Sequence, residues 1–221
     1  VIEDTAVSPS VLPSYMSDFR KLLDQLGLAC VYYAHIGTGE LHLRPVLNLK
    51  DPSDTERFRT IALETAKLVK KYRGSLSGEH GDGRLRGEFI PLMMGEKIYS
   101  VFKEIKQVWD PDGIFNPGKI TGTPPMNTFL RYETGKKVEE PKTFFDFSKT
   151  QGLIRAVEQC NGSADCRKTA SMGGTMCPSF QATLDEKNTT RARANLLREF
   201  LTNSSGANRF DHKELYDVLD L

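Results

Sequence analysis

The chain has 221 residues, with 30 lysines and arginines against 29 aspartates and glutamates. That length holds one or two domains, and the balanced charge gives no case for a nucleic acid or an anionic membrane surface as partner. No apolar run is long enough to span a bilayer, no signal peptide is visible, and a start at Val1-Ile2 without Met reads as a fragment of a longer polypeptide.

From Val1 to Val7 the sequence reads as the tail of a strand running into a Ser-Pro turn. Pro13 then sits near a helix start. Tyr15, Met16, Phe19, Leu22, Leu23 and Leu26 follow at helical spacing, and Gly27 stops the helix. Leu28 to Ala34 is apolar and β-branched and predicts a buried strand. Leu41 to Leu49 alternates, with Leu41 and Leu43 on one face and His42 and Arg44 on the other.

Three of the four histidines fall in two short stretches, Ala34 to Pro45 and Ser77 to Arg86. On one unbroken strand, His35 and His42 would point to opposite faces. Gly37 and Gly39 allow a bend, so both can face one pocket. Asp51-Pro52-Ser53-Asp54 caps the next helix, whose stripe is Phe58, Ile61, Ala62, Thr65, Leu68, Val69 and Tyr72. Gly74 ends it, and a short strand leads to Ser77-Gly78-Glu79-His80-Gly81-Asp82-Gly83. With Glu79, the two histidines make a two-histidine, one-carboxylate set, which suits a catalytic divalent metal with open positions. His80 is left as a base.

The order is β-α-β-β-α-β, a ferredoxin-like arrangement. The predicted fold class is α+β: an antiparallel sheet with helices on one face, its other face free for His42 and Arg44. Leu92 to Trp109 predicts a third helix, packed into the core through Ile98, Val101, Phe102, Ile105 and Val108. Asp110-Pro111-Asp112-Gly113 terminates it. Phe115-Asn116-Pro117-Gly118-Lys119 follows, and on its own residues this is a turn.

The motifs His-Ile-Gly-x-Gly-x-Leu-His-Leu, Gly-Glu-His-Gly and Phe-Asn-Pro-Gly-Lys occur here in that order. In this they resemble the C-terminal cap domain of FAD-linked oxidases, a group that includes D-lactate dehydrogenases, the glycolate oxidase flavin subunit and D-2-hydroxyglutarate dehydrogenases. The resemblance covers residues 1–121 and implies that Asn116 and Lys119 lie near FAD. One departure is Gly37-Thr38-Gly39-Glu40, where the family commonly reads Gly-Asp-Gly-Asn. Glu40 then either disfavours acidic substrates or adds a metal ligand.

Residues 122–150 are rich in proline, lysine and glutamate and read as a linker or a segment lying on the first domain. Phe144, Phe145 and Phe147 suggest that it docks. From 151 a second unit begins with a short helix over Gln151 to Gln159. Of the four cysteines, Cys160, Cys166 and Cys177 cluster, while Cys30 lies far off. A metal or cluster reading suits these three better than a disulfide framework. Bacterial ferredoxin segments run C-x2-C-x2-C-x3-C-P. Here Ser163 takes the middle position and the gap before Cys177-Pro178 is stretched.

The segment resembles the degenerate first cluster motif of fusion proteins that join a flavin dehydrogenase to an iron–sulfur domain. Residues 151–221 thus form a small, mostly helical iron–sulfur-type segment, the N-terminal part of a 4Fe-4S domain. Only three of its cysteines are present, so no intact [4Fe–4S] cluster is expected in this chain. The helix after Thr190-Arg191-Ala192-Arg193 offers an arginine-rich face, either solvated or set against clustered negative charge. His212 reads as a surface residue.

The resemblance implies an FAD-dependent dehydrogenase of D-2-hydroxy acids, inactive without the flavin domain of the same polypeptide. Zinc, manganese or iron would bind the substrate's hydroxyl and carboxylate oxygens. His80 would take the hydroxyl proton, and Arg44 or Arg84 would pair with a substrate carboxylate. Hydride would pass to the flavin, and electrons through the iron–sulfur domain to an acceptor. The expected location is the cytoplasm, with membrane association only through that acceptor. A metal-free oxidase cap and a non-catalytic metal-binding or electron-transfer module stay open as alternatives.

Overall fold

The structure, a computed structural model, describes residues 2–174 and 176–220. The expected strand start at Val1 lies outside them. The chain divides into two compact units, Val1–Lys136 and Lys137–Leu221.

The first unit is built on a three-stranded antiparallel sheet of β1 (Ile2–Ala6), β2 (Cys30–His35) and β3 (Glu40–Pro45), in the order β1-β3-β2. β1 and β2 both pair antiparallel with β3 and so run parallel to each other. Helix α1 (Leu12–Leu26) makes the crossover between them. It ends at Gly27 in the left-handed conformation. Helix α2 (Pro52–Lys71) follows β3, and the Asp51 carboxylate caps it by accepting from the N–H groups of Ser53 at 2.7 Å and Asp54 at 3.4 Å. Tyr15, Phe19 and Leu23 of α1 and Phe58, Ile61, Ala62 and Val69 of α2 are buried with Leu41 and Leu43 of β3. One face of the sheet thus carries the core. Burying each large side chain contributes about 1.5–3 kcal/mol.

The ferredoxin-like order holds, with corrections. The strand expected before Glu79 is a single bridge between Ala6 and Ser75. β2 is an edge strand rather than a buried one, with Val31, Tyr32 and Tyr33 each about half exposed. The expected third helix is broken at Gly95 into α3 (Ile90–Met94) and α4 (Glu96–Trp109). The apolar side of α4 is not core: Ile98, Val101, Ile105, Val108 and Trp109 are all exposed. Met126, from the segment read as a linker, is fully buried in the first unit's core, whereas Phe144 and Phe145 are exposed and Phe147 is half-buried.

The second unit is small and helical: α5 (Leu153–Val157), α6 (Pro178–Thr183), α7 (Thr190–Asn203) and α8 (Lys213–Leu219). Ile154, Leu201, Leu215 and Val218 are buried there. His212 is not a plain surface residue. Its ring stacks on Phe200 at 4.0 Å and its Nε2 meets Ser204 Oγ at 2.9 Å.

Candidate functional site

The site lies on the sheet face opposite the helices. β2 ends at His35, a single helical turn of Ile36–Thr38 follows, and β3 starts at Glu40. Gly39 closes this connection with φ +76°, and a Cβ there would lie 1.8 Å from the Val7 carbonyl oxygen, so no other residue fits. The register sets Tyr33 opposite His42 and His35 opposite Glu40. The bend therefore returns His42 to the same face as His35. Their rings stand edge to face at 5.2 Å, and Tyr33 stacks on His42 at 5.3 Å.

The loop carrying Glu79 and His80 is fixed from below by Asp4, which sequence reasoning missed. Asp4 is a bulge: Glu3 pairs with His42 and Thr5 with Leu41, leaving Asp4 unpaired at φ +82°. This left-handed conformation is costly for a residue with a Cβ. The fully buried Asp4 carboxylate accepts from the N–H groups of Glu79 at 2.8 Å and His80 at 3.1 Å, and from the Ser77 hydroxyl. Arg86, also buried, donates to it at 3.2 Å and to the carbonyls of Glu3 and Gly81 at 3.1 and 2.7 Å. Burial alone would push the Asp4 carboxyl up. The hydrogen bonds from Ser77, Glu79 and His80 outweigh it and hold the group at about 2.

Glu79 Oε1 then lies 3.1 Å from His80 Nε2, 3.7 Å from His42 Nε2 and 3.9 Å from His35 Nε2. The donor atoms of His35, His42 and Glu79 all lie within 4.8 Å of one another, so the structure brings the expected set together. Glu3, His42 and His80 form a second such group, and Asp4, Glu79 and His80 a third. His42 is buried and its Nδ1 has no hydrogen-bond partner, with Glu3 Oε1 at 3.6 Å. Its other nitrogen, Nε2, faces Glu40 Oε1 at 3.8 Å and Glu79 Oε1 at 3.7 Å, and a buried imidazole set among carboxylates fits a cation. Glu3 and Asp4 carried a local signal, an acidic pair inside a short strand that the sheet buries.

The other expected residues are placed as follows. Arg44 stays on the open face, largely exposed, and donates to Glu3 Oε1 at 2.8 Å. Arg84 turns to the Thr128 carbonyl at 2.5 Å and lies over the Phe129 ring. Asn116 is left-handed at φ +50° and accepts from Lys119 Nζ at 2.9 Å, both exposed. Their turn is tied to the glycine-rich loop by Ile120 N–H donating to the Gly83 carbonyl at 2.9 Å. In the second unit, Cys166 and Cys177 pack with Phe180. Among the described residues, Cys160, Cys166 and Cys177 form no group with thiols within 4.8 Å of one another. Burial pushes the Cys177 thiol up, but the Ser179 hydroxyl, the N–H groups of Phe180 and Thr190 and the Arg193 charge bring it below its ordinary value.

Residues 1–120 match the family described as FAD linked oxidases, C-terminal domain. The chain is 37% identical over 215 residues to a D-2-hydroxyglutarate dehydrogenase of Pseudomonas putida, covering 94% of this chain and 20% of that protein. The Escherichia coli protein of the same name is 32% identical, covering 90% of this chain and 19% of the relative. The glycolate oxidase subunit GlcD of Escherichia coli is 28% identical, over 52% of this chain and 23% of its own length. The chain thus spans about a fifth of the length of the curated dehydrogenases it matches.

Proposed function

The chain belongs to the family of FAD linked oxidases, C-terminal domain, and on that premise we propose that it is the substrate-side domain of a flavin-dependent dehydrogenase. The reaction would oxidise D-2-hydroxy acids, of the D-2-hydroxyglutarate or D-lactate type, to 2-oxo acids. The observation that carries this reading is the convergence of His35, His42, Glu79 and His80 on one open sheet face. The names of the Pseudomonas putida and Escherichia coli relatives support the substrate class.

A divalent cation (zinc, manganese or iron) held by His35, His42 and Glu79 would supply a Lewis acid for the substrate's hydroxyl and carboxylate oxygens, and FAD the hydride acceptor. His80 takes the proton from the substrate hydroxyl. Asp4 holds the backbone under Glu79 and His80 and so fixes where that proton goes. Arg44 presents an exposed guanidinium on the same face for a substrate carboxylate. Arg84 is the weaker choice, because it already serves Thr128. Asn116 and Lys119 make an exposed amide and ammonium pair suited to FAD. In the full-length protein Cys160, Cys166 and Cys177 would be candidate thiolate ligands of an iron–sulfur cluster, which would supply an electron-transfer centre. The proposed location is the cytoplasm, a compartment in which cysteine thiols stay reduced. No described helix is long and apolar enough to cross a membrane.

Two measurements test the reading. Elemental analysis of the purified chain should find about one equivalent of zinc, manganese or iron, lost in His42→Ala. In the full-length protein, His80→Ala should lower kcat for D-2-hydroxyglutarate by roughly 10²–10⁴-fold with an artificial acceptor. A full-length protein that oxidises no D-2-hydroxy acid would sink it.

A further inference from the structure

Glu40 has no role in that scheme, yet its placement demands one. Its residue is 8% exposed, and Oε1 is buried without a hydrogen-bond partner. That oxygen lies 3.8 Å from His42 Nε2, the same nitrogen that lies 3.7 Å from Glu79 Oε1. The carboxyl sits directly under the loop that carries Glu79: a methyl group at Gly78 would come within 3.1 Å of Glu40 Cδ and 3.3 Å of Oε1. An unpaired carboxylate oxygen this deep is costly unless something cationic reaches it.

The charges around it are uneven. Glu3 is matched by Arg44 and Asp4 by Arg86. Glu40 faces His42, the negative charge of Glu79 and, within hydrogen-bond reach, the Asp4 carboxyl; neither Glu40 nor Glu79 has an arginine or lysine within ion-pair distance among the described residues. Carboxylates crowded together at this depth are relieved by a cation among them.

We infer that Glu40 is a further ligand to the metal held by His35, His42 and Glu79, giving a two-histidine, two-carboxylate set. This rests on the metal reading above and deepens it. Four protein donors leave two positions of a six-coordinate ion, which suits the two oxygens of a 2-hydroxy acid. A second carboxylate also shifts the preference from zinc toward a harder, six-coordinate ion such as Mn²⁺.

The test uses the 221-residue chain stripped of metal with a chelator. Mn²⁺ alone is titrated, with free Mn²⁺ read by electron paramagnetic resonance. Zn²⁺ is titrated in competition with a chromophoric chelator, and circular dichroism checks the fold of each variant. Wild type should take up about one equivalent of Mn²⁺. Glu40→Gln should weaken Mn²⁺ at least about tenfold and Zn²⁺ clearly less. Gly78→Ala, which displaces the carboxyl without changing a ligand, should do the same, and Glu40→Asp should recover part of the loss. Wild-type Mn²⁺ affinity in Glu40→Gln, with binding still lost in His42→Ala, would remove Glu40 and leave the three-residue set standing. Equal weakening in Glu40→Asp and Glu40→Gln would mark a packing role and overturn the inference. A wild-type chain that binds neither ion, or a His42→Ala variant that binds as wild type does, would overturn the metal reading as well.

Discussion

Replacing Asp4 with alanine removes one acceptor from four donors: the Ser77 hydroxyl, the N–H groups of Glu79 and His80, and the Arg86 guanidinium. Arg86 would be left as a buried charge without its carboxylate, a loss of about 3–5 kcal/mol, read as a lower denaturant midpoint. The same carboxyl sets an acid limb. Its folded value of about 2 lies below the ordinary 3.8. Its contribution is therefore full above about pH 4 and is lost as pH falls through about 2. Stability of wild type measured between pH 5 and 2 should show this decline, and Asp4→Asn should flatten it. An equal decline in both would assign the limb to other carboxyls. His35, His42, Glu79 and His80 were legible in the sequence because glycines and histidines stood together. Asp4 and Arg86 were not, because they act across 82 positions of chain and only the folded bulge joins them.

At the scale of elements, periodicity identified α1, α2 and α4 correctly as amphipathic but could not say what covers each apolar face. α1 and α2 cover one face of the sheet, so Phe19→Ala should cost about 3–5 kcal/mol. On α4, Val108 is 78% exposed, so Val108→Ser should change stability by less than about 0.5 kcal/mol. Chemical denaturation of the two variants decides it, and a large loss at Val108 would mean that α4 is covered after all. β2 misled for a related reason. Its run of Cys, Val, Tyr and Tyr has the composition of a buried strand, yet among the described residues only β3 pairs with it. The strand expected before Glu79 shrank to one bridge because the backbone there turns to Asp4 instead: Gly78 N–H donates to the Asp4 carbonyl at 2.7 Å. Capping was readable outright. Asp51→Ala removes the acceptor for the Ser53 and Asp54 N–H groups and should cost about 1 kcal/mol, seen as a lower melting temperature.

Across the whole molecule, every donor of the candidate metal set lies in the first unit, between Glu3 and His80, and none in residues 137–221. A ligand that binds only a folded unit stabilises that unit by mass action, by about 2.7 kcal/mol at a hundredfold excess over Kd. For a unit of this size, that raises its melting temperature by roughly 10 °C. The second unit has its own buried residues, Ile154, Leu201, Leu215 and Val218, and gains nothing from the ion through those residues. Calorimetry of the chelated chain with and without Mn²⁺ should therefore move one component of the unfolding profile and leave another in place, and His42→Ala should abolish the shift. If the whole profile moved as one peak, the two units would unfold as a single cooperative body. If nothing moved in wild type at saturating ion, the convergence of His35, His42 and Glu79 would have to be explained by packing and hydrogen bonding alone.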